Sequence, residues 1–138
     1  MRKRLIGIFA TILFVSTVIC AQQVATDVET GPRHGDIMQT KLRAAQQVLA
    51  GVAQQDFEMI EKQATSLHLL SREAGWNRLQ TQEYMRLSDD FRATATQLSR
   101  SAKKKNMDAV ALAYVKLSIS CVECHRYARE EATVRTDR

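Results

Sequence analysis

Cys121, Cys124 and His125 stand in the run SCVECHRYAR, near the carboxyl end of a 138-residue chain. Two thiols three apart, with an imidazole four after the first, project to one side of a helix. That set suits a planar macrocycle: both thiols add covalently to its vinyl groups, and the imidazole reaches a central iron. C-x-x-C-H is the attachment signature of haem c, and histidine is a normal axial haem ligand. Rival chemistries fit less well. A thioredoxin-like dithiol needs a βαβ setting, and the periodicity here is helical throughout. A structural zinc site needs a fourth ligand and usually a second cysteine pair. A disulfide at this spacing on a continuous helix would be strained.

The amino end bears on the same question. Arg2, Lys3 and Arg4 precede an uncharged apolar run from Leu5 to Ile19, followed by Cys20 and Ala21. This is the layout of a secretory signal peptide over residues 1–21, too short in its apolar part for a membrane span. Cys20 admits a lipoprotein anchor as a lesser alternative. Covalent haem attachment in bacteria takes place outside the cytoplasm, so export and motif agree, and the expected location is periplasmic. The whole chain has 20 basic and 15 acidic residues; removing three basic ones with the signal leaves 17 against 15, a net of +2. A nucleic-acid partner thereby loses its electrostatic support.

Four amphipathic patterns must position the motif. After an irregular leader over 22–35, a first helix is expected from about Asp36 to Gln54, with Met38, Leu42, Ala45, Leu49 and Val52 inward. A second runs from an Asp56 cap to about Ala74, with Phe57, Ile60, Ala64, Leu67 and Leu70 or Ser71 inward and Gly75 ending it. Thr81 caps a third, to about Lys103, burying Tyr84, Leu87, Phe91, Ala95, Leu98 and Ala102. Asn106 caps a fourth, to about Glu131, with Val110, Ala113 or Tyr114, Leu117, Cys121 and Cys124 on its core face. Residues 132–138 read as a frayed tail. Similar lengths and short connections predict an all-α, antiparallel up-down-up-down four-helix bundle over 36–131.

No methionine or histidine follows His125, so a second protein ligand to iron must come from upstream. In an antiparallel bundle the end of the last helix lies level with the start of the first, the end of the second and the start of the third. Met59 and Met107 fall at the opposite end. His34, Met38, His68 and Met85 fall at the right level. Met85 sits beside the inward stripe, His68 at a boundary suited to a hydrogen-bonded histidine, and His34 in the leader. Met38, in the first turn on the expected inward face, is the candidate sixth ligand. A shift of one turn would put Leu42 there instead. Trp76, Tyr84 and Arg129 are candidate contacts to the porphyrin or its propionates. Lys41, Arg43 and the lysines at 103–105 read as solvated faces or as guides for an acidic redox partner.

A four-helix pattern with CVECHRYAR in its last helix resembles the class II c-type cytochromes, that is, cytochrome c-prime and its low-spin, methionine-ligated relatives. The resemblance rests on Cys121, Cys124, His125 and the basic Arg129, and on the QDF that opens the second helix. It implies one covalent haem c with its iron and single-electron transfer between periplasmic or membrane-bound redox proteins, rather than an enzyme with its own substrate. In the low-spin branch it implies ligation by Met38. In the five-coordinate branch Met38 would only wall a pocket that binds nitric oxide or carbon monoxide. Homodimerisation through the first two helices is a further implication. Peroxidase-like chemistry would need a distal histidine–arginine pair, for which only His34 beside Arg33 is available.

Overall fold

The computed structural model describes residues 34–136. The expected signal and most of the leader lie outside the described residues. Four α-helices follow in order: α1 (His34–Gln54), α2 (Phe57–Leu70), α3 (Gln82–Lys103) and α4 (Met107–Thr136), with a 3-10 turn at Ala74–Trp76 between α2 and α3. Among the described residues there is no strand, so the all-α expectation holds. No helix among them is long and apolar enough to cross a membrane.

Two corners at one end of the bundle share one design. Gln55 adopts a left-handed φ of 57°, and the Gln55 and Asp56 amides return to the Val52 and Gly51 carbonyls at 3.3 and 2.9 Å. This is a Schellman closure, and Asp56 then caps α2 by accepting the Met59 amide at 2.9 Å. Lys105, with φ of 51°, repeats the turn. The Lys105 amide reaches the Ala102 carbonyl at 2.9 Å and that of Asn106 the Ser101 carbonyl at 3.2 Å. Asn106 then accepts the Ala109 amide at 3.0 Å, capping α4.

The α2–α3 connection, at the other end, is longer. α2 stops at Leu70 rather than near Ala74, and Gly75 does not stop it. The Ser71 hydroxyl donates to the His68 carbonyl at 2.6 Å, while the Arg72 and Glu73 amides tighten onto the Leu69 and Leu70 carbonyls. Three-residue closure replaces the α pattern before the glycine is reached. Thr81 caps α3 as expected, accepting the Tyr84 amide at 3.2 Å.

Consecutive helices pack along their lengths, which with these short connections makes them antiparallel; α1 and α4 touch only sparingly. The expected α3 stripe from Tyr84 to Ala102 is buried throughout. Phe91 packs on Trp76 with ring centroids 5.3 Å apart. The Trp76 indole N–H donates to the buried Ser88 hydroxyl at 2.9 Å.

On α1 the inward face differs from the expectation by one residue. Ile37, Lys41, Ala44, Val48 and Gly51 are buried, whereas Leu42 is 52% exposed and Leu49 is also exposed. Two members of the true stripe are a lysine and a glycine, so hydrophobicity alone selects its neighbour. α4 buries Val110, Ala113, Leu117, Ser120 and Cys124, yet it also carries exposed Leu112, Val115, Ile119 and Val122 on its outer side.

Candidate functional site

Side chains from α1, the α2–α3 connection, α3 and α4 converge on a cavity of about 490 Å³, within the ~300–1,000 Å³ usual for cofactor and small-molecule sites. His34 and Met38 come from the first turns of α1, Arg78 and Leu79 from the α2–α3 connection, and Tyr84 from the start of α3. α4 supplies Cys124, His125, Ala128, Ala132 and Arg135. The last two belong to a helix that continues to Thr136, past the expected end near Glu131 and through the stretch read as a frayed tail. Those extra turns form one wall.

The motif residues share one side of α4. Both cysteines carry free thiols; Cys124 is buried and Cys121 half-buried. Burial pushes the Cys124 thiol above its ordinary range, partly countered by the positive charge of Lys41. His125 is pushed below the usual imidazole value, first by desolvation and then by the positive charges of Lys41, Arg129 and His34. Its neutral form, the one that ligates metal, is thereby favoured. Arg129 is exposed and acts on the imidazole through its charge rather than as part of the cavity wall.

The other nominated residues divide. Met38, half-buried, lines the cavity with His125. Tyr84 lines it too, and its buried hydroxyl donates to the Trp76 carbonyl. Trp76 is fully buried and is not among the lining residues. His34 is tied by Nδ1 to the Gly75 carbonyl at 2.9 Å. His68 lies elsewhere, with Nδ1 3.2 Å from the Thr96 hydroxyl. Met85 and Leu42 are exposed.

The principal correction is Lys41. Read as a solvated residue or a partner guide, it is 5% exposed. Its ammonium nitrogen lies 3.9 Å from the Phe91 ring centroid and 4.4 Å from that of Trp76. No carboxylate among the described residues lies in ion-pair range of it. Desolvation holds its pKa below the usual lysine value, against a smaller opposing effect of Cys121 and Cys124. Arg78, Leu79, Ala128, Ala132 and Arg135 were also not nominated from sequence. The level argument predicts their region, but no residue type singles them out.

The donor set fits an iron carried by a macrocycle. Two free thiols and an exposed imidazole share one helical side, apolar Leu79, Ala128 and Ala132 flank them, and Arg78 and Arg135 offer charge to carboxylates. Among the described residues no three His, Cys, Asp or Glu side chains converge to hold a bare metal ion.

No family model matches the chain, and no curated protein sequence does. Two solved structures are similar to it: nitric oxide complexes of two leucine variants of cytochrome c-prime from Alcaligenes xylosoxidans. They are 16% and 15% identical, each with a TM-score of 0.45, covering 70% of this chain and 95% and 96% of theirs.

Proposed function

We propose that the chain is an exported haem c protein that carries single electrons between periplasmic or membrane-bound redox partners. The observation that carries this reading is the placement of Cys124 and His125 in one cavity wall, with Cys121 one turn earlier on the same helix and Met38 across from them on α1. The group, when bound, supplies a ferric–ferrous couple worked by one electron at a time.

The chain's own residues do the rest. Cys121 and Cys124 would hold the group by adding their S–H bonds across two vinyl groups, an addition that needs no oxidant or reductant. His125 would offer an imidazole nitrogen to the iron. Buried Leu79 and Tyr84, with Ala128 beside them, would shield one side of the group from water and so help set its potential. Arg78 and Arg135 would be placed to meet its carboxylates. Met38 is the thioether available on the opposite helix, and a protein ligand on that side would keep coordination constant through the redox cycle.

Expression alongside a c-type maturation system tests the reading. The expected result is a mass increase of one haem and a pyridine haemochrome spectrum with both thioethers formed. Protein-film voltammetry should then give a reversible one-electron wave. A ferrous protein that instead binds nitric oxide or carbon monoxide readily, with an open iron position, would replace electron transfer with gas binding. A product without covalent haem would overturn both.

A further inference from the structure

α4 is apolar on two opposite sides. Val110, Ala113 and Leu117 turn into the bundle. Leu112, Val115, Ile119 and Val122 lie on the opposite face of the helix, between 51% and 73% exposed. Their spacings of three, four and three are those of a coiled-coil seam. A surface helix ordinarily carries polar residues there. Single exposed apolar side chains need no account, but a contiguous stripe of them marks an interaction surface. Of its large apolar residues α1, by comparison, exposes Leu42 and Leu49, two turns apart.

The ends of the stripe point to its occupant. Asp108 precedes Leu112 by four residues and Arg126 follows Val122 by four, so both continue the same line. Both are exposed, and neither has an ion-pair partner among the described residues. We propose that the outer face of α4 binds a second copy of this chain, with the two α4 helices antiparallel about a two-fold axis at the level of Leu117. In that register Leu112 packs against the partner's Val122 and Val115 against the partner's Ile119. Asp108 meets the partner's Arg126, and each contact occurs twice, as two-fold symmetry requires. A parallel pairing would set Asp108 against its own copy and Arg126 against its own, two like-charge contacts. A lipid surface fits less well, because the stripe has no aromatic anchor and acidic Asp108 and Glu123 border it. From Asp108 to Arg126 the seam rises over eighteen residues, ~27 Å. Such a seam suits a reversible dimer rather than an obligate one. It shares no residue with the cavity wall, so it does not rest on the haem reading.

The test is sedimentation velocity over a concentration series of the exported chain as matured by its host, with helix content checked by circular dichroism. The proteins are wild type, Ile119→Glu, Asp108→Arg, Arg126→Asp and the double charge swap. Wild type should pass from monomer to dimer as concentration rises, and Ile119→Glu should stay monomeric with its helices intact. Each single charge reversal should weaken the dimer about tenfold, and the double swap should restore the wild-type dissociation constant. Should Asp108→Arg loosen the start of α4, Arg126→Asp and the double swap still read the coupling. A wild type that remains monomeric up to about 1 mM would overturn the proposal, as would a dimer unaffected by Ile119→Glu. A double swap no tighter than the single reversals would overturn the antiparallel register. Monomeric wild type that cosediments with phosphatidylethanolamine–phosphatidylglycerol vesicles, and loses this in Ile119→Glu, would assign the face to lipid and overturn the dimer.

Discussion

The Tyr127 hydroxyl donates to the Thr81 hydroxyl at 2.7 Å, joining α4 to the cap of α3 two residues after His125. Thr81 thus receives two donors, the Tyr127 hydroxyl and the Tyr84 amide. The bond fixes α4 against the α2–α3 connection that supplies Arg78 and Leu79. Tyr127→Phe should cost about 0.5–1.5 kcal/mol, the usual net worth of a hydrogen bond. Urea unfolding checks the size, and an unchanged midpoint would show that the bond contributes nothing.

Lys41→Leu should act on the apoprotein in the opposite direction. Removing a desolvated charge should stabilise it at neutral pH by on the order of 1 kcal/mol. The pH dependence has a definite sign. Lys41 has a folded pKa below its usual 10.5, so between those two values the unfolded chain binds more protons. Wild-type stability therefore gains with pH relative to the variant across that window, and the difference closes above it. Unfolding both proteins from pH 7 to pH 11 would expose a wrong sign as a gap that widens.

Gln55 holds a left-handed conformation that costs a residue with a β-carbon about 1–2 kcal/mol. Gln55→Gly should recover about 0.5–1 kcal/mol, because glycine is the natural occupant of the position after a helix end. Thermal unfolding monitored by circular dichroism reads this as a raised midpoint. A fall would mean that the Gln55 side chain does more than its geometry indicates.

Gly51 has the reverse requirement. A β-carbon there would stand 2.7 Å from Ile60 Cγ1 and 3.2 Å from the Asp56 carbonyl oxygen. The alanine gain in helix propensity, about 1 kcal/mol, is set against a clash that includes backbone, worth about 1–3 kcal/mol. Gly51→Ala should lower stability, and a midpoint at or above wild type would show that α1 and α2 separate easily.

The legibility of the chain follows from residue type. α3 is readable because Tyr84, Leu87, Phe91, Ala95, Leu98 and Ala102 are all apolar and all buried, so period and burial coincide. α1 is misread because Lys41 and Gly51 occupy its inward stripe while Leu42 and Leu49 face out; the pattern there reports hydrophobicity, not direction. Cys121, Cys124 and His125 announce themselves by type and spacing. Lys41 does not, since nothing local separates a buried lysine from a solvated one. Arg78 and Leu79 reach the cavity only through the path of the connection. Ala132 and Arg135 reach it because the helix outlasts its apolar periodicity.

The sparse meeting of α1 and α4 has a kinetic meaning. Nearly all packing joins helices adjacent in sequence, so the bundle can zip from hairpin to hairpin with little long-range loop closure at the outset. The most distant of these closures brings His34 and Met38 to Cys124 and His125, about ninety residues away. On the proposed function, a group bonded to Cys121 and Cys124 and held from α1 would act there as a clasp across the chain. Without it the first and last helices can part while the other three hairpin seams stay shut. With it, opening one end would mean opening the whole, and the lifetime of the folded state would become a property of the loaded protein.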